Sequence, residues 1–318
     1  MVARTSRAEW LDLHKVRVFA TVADQQHYSK AAEILHISQP ALSVHVRDLE
    51  RYFGVPLFER IGRGVRLTDA GQMVHGYAKR LLAITLELEE AVDDVKGVRA
   101  GRLSIGASTT PGAYLLPALL SSFRRRYPAV AVAVEIANTA TIAERIREGE
   151  LHLGLLGEPL ADPELELEPY VEDELLLVVP PGHRWAGRQI GVKDLDQEAL
   201  IVREEGSATD DVTRQALAKA GLDIGPSLVL GNTEAVKGAV AGGLGVAFIS
   251  ACAVVHEISS GRLAQCRVRG FAIKRRFQVA RRRGRRLSAA EQAFLALARA
   301  MVLDSRNSRQ PAPRHRAP

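Results

Sequence analysis

Between Leu13 and Gly54 the apolar side chains fall into three short helical stripes separated by brief breaks, a pattern that few folds satisfy. Leu13, Val16, Phe19, Val22 and Ala23 recur at helical spacing and predict a first helix over about 12–24. Ser29 is placed to cap a second helix over 30–36 that buries Ala31, Ala32 and Leu35. After a break at Ile37-Ser38, Ser38 is a good N-cap for a third helix. Pro40 is tolerated there because first-turn N–H groups have no intrahelical partner. This helix is expected to bury Leu42, Val46, Leu49 and Phe53 and to stop at Gly54. Val55–Arg60 and Val65–Leu67, flanking Gly62-Arg63-Gly64, read as a hairpin with a basic tip. The polar residues Gln39, Ser43, His45 and Arg47 interleave with the buried set. Two helices joined by a short turn, the second presenting small polar residues, fit a major groove. Gln pairs with adenine edges there, and Ser or His donates to phosphates or bases. On period alone, a plain three-helix bundle whose polar residues face water fits equally well.

A chain of 318 residues has room for about two domains, and its 47% hydrophobic and 25% charged content is that of a globular protein. No apolar run of about 18 residues occurs, which excludes a membrane-spanning helix. The first 13 residues lack the apolar core of a secretory signal, so the expected location is cytoplasmic. Cys252 and Cys266 lack metal-type spacing, which argues against a disulfide scaffold or a structural zinc. The net charge of +6 is unevenly spread: residues 103–270 hold 15 Lys/Arg against 22 Asp/Glu, and residues 271–318 hold 13 against 2. The basic character therefore resides in the C-terminus and is not by itself a nucleic-acid signature. Lys274, Arg275, Arg276 and the run Arg281–Arg286 read as a solvated strand edge and turn, and residues 304–318 as a disordered basic tail.

Individual residues break the tie left by the period. Phe19-Ala20-Thr21-Val22-Ala23, Tyr28 to His36, Ile37-Ser38-Gln39-Pro40-Ala41-Leu42-Ser43, Leu49-Glu50, Gly54 to Arg60 and Arg63 to Gly71 stand in register over nearly the whole of 13–71. This stretch resembles the winged helix-turn-helix of LysR-type transcriptional regulators. The resemblance implies that Gln39, Pro40 and Ser43 meet base edges or methyl groups. It further implies that Ser29 and Ser38 hold phosphates near helix N-termini and that Arg63 enters a minor groove. His45 and Arg47 complete the expected DNA-binding set. Val44 departs from the family, where a basic residue often touches DNA.

Thr68 is expected to cap a long helix over about 69–97. Val74, Tyr77, Leu81, Ile84, Leu88, Ala91 and Val95 form a heptad seam along it, with Glu87, Glu89, Glu90, Asp93 and Asp94 behind. A lone helix with so narrow a stripe needs a partner, which points to a homodimer or homotetramer. Two recognition helices then face successive major grooves of a promoter dyad with half-sites ~34 Å apart, or a multiple. The expected organisation is a DNA-binding domain over 1–67, a dimerisation helix over 68–98 and an effector-binding domain over 102–303. RNA polymerase is a further partner.

From Arg102 the pattern changes to strands alternating with helices, the mark of a parallel α/β sheet. Ser108, Thr109, Thr110, Asn138, Thr139, Arg203, Ser207, Thr209 and Asn232 cluster at strand-to-helix junctions. Helix N-termini at strand C-termini are ready anion sites, so these residues outline a cleft for a small polar metabolite. The region resembles the effector-binding domain of the same family, similar to periplasmic solute-binding proteins of type II. That likeness implies lobe I over 102–169 and 267–303, with lobe II, 170–266, inserted. Relatives with a similar Arg-Glu-x-Gly-Ser stretch often continue Gly-Thr-Arg, but here Ala208-Thr209-Asp210 follows, so the expected second arginine is missing. An ion pair of Arg203 with Glu204 or Glu205 is an equal reading of that arginine. No catalytic constellation accompanies the cleft: Gly243-Leu244-Gly245 precedes a strand and reads as a turn, and no phosphate loop or nucleophile elbow occurs. The expectation is a regulator rather than an enzyme, without a cofactor or metal. A small-molecule sensor or carrier without DNA recognition is the second reading.

Overall fold

The computed structural model describes residues 10–62, 64–94 and 101–307. Two compact units divide near Glu89. The first opens with α1 (Leu13–Gln25), α2 (Tyr28–Leu35) and α3 (Gln39–Phe53), followed by the antiparallel pair β1 (Phe58–Ile61) and β2 (Gly64–Leu67). The side chain of Asp12 caps α1 by accepting from the His14 N–H at 2.8 Å. Leu13, expected inside, is exposed because it sits at the very start of the helix. Farther along, α1 buries Val16, Val18, Phe19, Ala20, Val22 and Ala23 over a broad face and leaves Arg17 and Asp24 exposed. Phe19 packs with Leu49, Leu57 and Ala78, while Val18 and Val22 pack with Ala31, Leu42 and Val46.

Two expectations for the short helices shift. α2 begins at Tyr28 with His27 in the capping position, so Ser29 lies within the first turn and caps nothing. Phe53 is half-buried, because Gly54 ends α3 there with φ 75°. Ser38 does cap α3, accepting from the Ala41 N–H at 3.3 Å. Glu50 has a role that spacing does not reveal: its carboxylate accepts from the N–H groups of Leu57 and Phe58 at 2.8 and 3.3 Å, tying the hairpin to α3.

Thr68 Oγ1 accepts from the Gly71 N–H at 3.0 Å and starts α4 (Asp69–Asp94). Val74, Ala78 and Leu82 turn toward the core of the first unit. Along the predicted seam Tyr77, Ile84 and Leu88 remain exposed, whereas Val95 and the side chain of Ala91 lie outside the described residues.

The second unit is built on a mixed sheet of order β4-β3-β5-β12-β6-β11-β7, with β10 also on β6. β3 (Gly101–Ser108), β4 (Val130–Ala137) and β5 (Leu153–Gly157) are parallel, as the alternation predicts. β6 (Leu165–Val179) and β12 (Ile273–Arg282) are antiparallel to one another over ten residue pairs, which corrects the expectation of an all-parallel sheet. The remaining strands are β7 (Gln189–Ile190), β8 (Ile201–Arg203), β9 (Leu228–Leu230), β10 (Ala247–Ser250) and β11 (Ala264–Val268). Lobe boundaries expected at 169/170 and 266/267 fall inside β6 and β11, since these strands run on without a break.

Helices cover the sheet. α5 (Thr109–Tyr114), α6 (Leu116–Arg126) and α7 (Thr139–Glu148) follow the first two strands, and α11 (Ala289–Asn307) returns to them. Leu103, Ile105, Phe123, Leu155 and Phe294 fill the space between β3, β5, α6 and α11. On the opposite face α7 approaches so closely that a Cβ at Gly106 would meet Ile142 Cγ2 at 2.6 Å. α8 (Ala208–Lys219) packs on a second core containing Leu177, Val202, Leu217 and Phe248, and α9 (Thr233–Ala241) and α10 (Ala251–Ser259) pack on a third with Val178, Ile201 and Ala247.

The basic C-terminal run is not a solvated edge. In the β6–β12 register Lys274, Arg275, Arg276 and Arg281 stand opposite Glu174, Asp173, Glu172 and Glu166. The deficit of positive charge in one stretch is thus matched by the excess in the other, strand against strand. Arg275 is buried on Asp173 at 2.8 Å, and Arg281 meets Glu166 at 2.5 Å. α11 also extends through Asn307, so residues 304–307 are helical and not a tail, while 308–318 lie outside the described residues.

Arg285 and His152 converge on the buried Glu291 at 2.8 and 2.9 Å. Burial alone would raise that carboxyl; the hydrogen bonds from His152 and Arg285 instead bring it down to about 2. A carboxyl lowered by folding stabilises above its ordinary value of 4.5, and that contribution is lost as pH falls toward 2. Glu291→Gln is expected to cost about 3 kcal/mol in urea unfolding at pH 7, with the difference from wild type shrinking below pH 4.

Candidate functional site

Along α3, Gln39, Pro40, Val44 and Arg47 are exposed on one face, with Ser43 half-buried beside them. The Arg47 Nε donates to the Ser43 carbonyl at 3.2 Å, which lays the guanidinium along the same face. Ser29 on α2 donates to Gln39 Oε1 at 3.5 Å, so the two helix starts meet next to Ser38. His45 departs from the expected set. It is half-buried on the flank toward α1, its ring 4.9 Å from that of His14, and its buried Nδ1 has no partner among the described residues. Arg63 lies outside the described residues.

In the second unit, the C-terminal ends of β3 and β8 meet across a cleft. Arg203 ends β8 and is buried, and it forms the ion pair with Glu204 that the sequence offered as its second reading, though not at the surface. Its Nε and Nη2 grip the Glu204 carboxylate at 2.8 Å. Nη1 donates to Thr233 Oγ1 at 2.9 Å, and Nη2 reaches Thr109 Oγ1 at 3.1 Å on the opposite lobe. Asn138 makes a second bridge: Oδ1 accepts from the Thr141 N–H and caps α7, and Nδ2 donates to the Glu205 carbonyl at 3.3 Å. Ser108, Thr110, Thr139 and Ser207 are buried at their helix starts. Asn232 is set apart, being exposed and occupied in capping α9 through the Ala235 N–H at 2.7 Å.

The arginine missing after Ser207 comes from elsewhere. Arg275 on β12 donates through Nε to Asp173 at 2.8 Å and through Nη1 to Thr209 Oγ1 at 2.9 Å. Ser250 donates to the other Asp173 oxygen at 2.7 Å, with Cys252 Sγ 3.1 Å from the Ser250 hydroxyl. Burial holds the Arg275 guanidinium below its ordinary value, opposed by Asp173, and the same burial raises the Cys252 thiol. A raised thiol is a poor nucleophile, in keeping with binding chemistry rather than catalysis. Sequence reasoning missed Arg275 because it sits in a run of basic residues and 66 positions from Thr209. The cavity edged by Thr110, Arg203, Thr209, Asp210, Thr233 and Ser250 measures about 20 Å³. That is room for about one water.

One contact outside the cavity also joins the lobes. Tyr114 at the end of α5 donates to Glu234 on α9, and Lys237 meets Glu234 at 2.8 Å and Glu257 at 2.7 Å. Burial, with Glu234 adding, pushes the Tyr114 phenol up to about 12. Tyr114→Phe removes this donor while Glu234 keeps Lys237. The expected loss is about 1 kcal/mol of stability, read from the urea midpoint.

Residues 13–72 match the model of the bacterial regulatory helix-turn-helix protein, lysR family, and residues 96–302 match the LysR substrate binding domain. The chain belongs to the LysR family. The RuBisCO operon transcriptional regulator of Allochromatium vinosum is 35% identical over 285 residues, covering 89% of this chain and 94% of that protein. Among solved structures, full-length OxyR from Pseudomonas aeruginosa superposes with a TM-score of 0.69 at 27% identity, covering 91% of this chain and 94% of that one. The CcmR regulatory domain from Synechocystis in complex with 2-PG superposes with a TM-score of 0.60 at 32% identity, covering 64% of this chain and 97% of that one. The LysR-family chain is therefore a DNA-binding transcriptional regulator with an effector-binding domain, not an enzyme, which removes the reading as a carrier without DNA recognition. No helix among the described residues is long and apolar enough to cross a membrane.

Proposed function

We propose that this regulator reads a promoter dyad as a dimer or tetramer, with α3 in the major groove and its DNA affinity or geometry set by a small anion in the interlobe cleft. The supporting observation for the cleft is that two guanidinium groups, Arg203 and Arg275, are buried at the strand ends among hydroxyl groups from both lobes. Burying such charges is costly unless they are paired, and a site of this kind favours an anion that competes for them. CcmR holds 2-PG in its regulatory domain. A compact anion of that sort is carried here to this chain, and genes of the kind named for the Allochromatium relative are carried here as its targets.

Gln39, Pro40 and Ser43 are assigned to base edges, Ser29, Ser38 and Arg47 to phosphates, and Arg63 to a minor groove on the sequence expectation. His45 is left out because its ring faces His14. The exposed Tyr77, Ile84 and Leu88 on α4 support pairing of two chains along the predicted seam. The anion shifts the heads only if it binds one arrangement of the lobes more tightly than the other. The assigned organisation is the head over 1–67, the paired helix over 68–98 and the effector domain over 102–303, in a cytoplasmic protein that acts with RNA polymerase.

Gln39→Ala is expected to relax base preference at one position of each half-site in gel-shift competition, by about tenfold. An unchanged preference sinks the groove assignment. In the cleft, Thr109→Val is expected to weaken the response to 2-PG several-fold in calorimetric titration and leave basal DNA affinity intact. Loss of both would mark a folding defect and count against the cleft assignment.

A further inference from the structure

The cleft is electrostatically balanced but not fully satisfied. Arg203 is matched by Glu204, Arg275 by Asp173 and Arg214 by Asp210. Arg203 places its donors on Glu204, Thr233, Thr109 and the Gly231 carbonyl. Two buried polar atoms stay without a partner among the described residues: Arg275 Nη2, a donor, and Asp210 Oδ1, an acceptor.

Asp210 edges the cavity and is only 5% exposed. Its place in the first turn of α8 would suit a capping carboxylate, yet no backbone N–H donates to it. Its partner is Arg214, whose Nε meets Oδ2 at 2.5 Å from the solvent side. The neighbouring hydroxyl of Thr213 is spent on the Thr209 carbonyl at 2.7 Å. Arg214 offsets the burial of Oδ2, whereas Oδ1, a buried carboxylate oxygen with no donor among the described residues, is left with its desolvation cost.

We propose that Asp210 is a specificity-determining residue of the effector cleft, accepting a hydrogen bond from a hydroxyl or ammonium group on the same small anion whose charged end meets Arg203, which lines the same cavity. This rests on the cleft reading above and narrows it. A bare dicarboxylate or phospho-acid meets Arg203 and leaves Asp210 orphaned beside a second negative charge, whereas a hydroxylated or aminated anion satisfies both. A site built to hydrogen-bond a ligand donor rejects the analogue lacking it far more strongly than an apolar pocket rejects a missing methylene.

The test titrates the full-length protein with three probes that share a carboxylate and a phosphate: 3-phosphoglycerate, phosphoserine and 3-(phosphonooxy)propanoate, the last lacking the donor. The expected result is that at least one donor-bearing probe binds wild type about tenfold more tightly than the propanoate, and that Asp210→Ala, which removes the acceptor, brings the ratio close to one. Whichever of the hydroxyl and ammonium probes binds more tightly names the donor. Equal binding of all three to wild type overturns the role of Asp210 and leaves the anion cleft standing. Binding of none overturns the cleft reading and this inference with it. Without ligand, Asp210→Asn is expected to leave the thermal midpoint unchanged or raised. A fall of several degrees would make the carboxylate structural and overturn the proposal independently of any probe.

Discussion

The antiparallel ribbon of β6 and β12 is the constraint on which the effector domain depends. Ten residue pairs align from Ile273 with Leu175 to Arg282 with Leu165, so one pair of strands serves both lobes. Along it the acidic side chains of β6 meet the basic side chains of β12. Most of these pairs are partly exposed and individually contribute little, but opposite charges directly across a ladder disfavour a register slip. Where the ribbon passes under the cleft, the same pairing turns inward as Arg275 on Asp173. Register and lobe connection are therefore set by one strand pairing.

That pairing explains how a regulatory site is built from groups that are remote in the chain. Arg203 and Thr233 belong to one lobe, Thr109 and Asn138 to the other, and Arg275 to the strand between them. Each side chain that bridges the cleft is also held by its own element, so the site is sensitive to lobe position. A ligand that competes for these bonds changes what holds the lobes together, and a coupling of this kind needs no contact with DNA. The Tyr114–Glu234–Lys237 group adds a bond across the lobes outside the cavity.

The DNA-binding head follows a simpler logic. Packed on the broad apolar face of α1, α3 has one face to show, and Ser38 and Gly54 fix where that face begins and ends. Glu50 then joins the hairpin to the same helix through two backbone N–H groups. The recognition face and the hairpin are thus referenced to one element.

Much of this was legible in the chain itself. Apolar period, caps and stops located the three helices of the head, its hairpin and the start of the long helix, because local geometry leaves its mark on neighbouring residues. The junctions bearing Ser108, Thr109, Asn138 and Ser207 were legible for the same reason. What distance in sequence hides was decided by tertiary structure alone. The burial of Arg275, the inward turn of His45, the capping role of Asn232 and the unmet oxygen of Asp210 each depend on which remote element comes to lie alongside. Periodicity reports which face of an element is apolar, whereas the pairing of β12 with β6 determines which charges that face brings together.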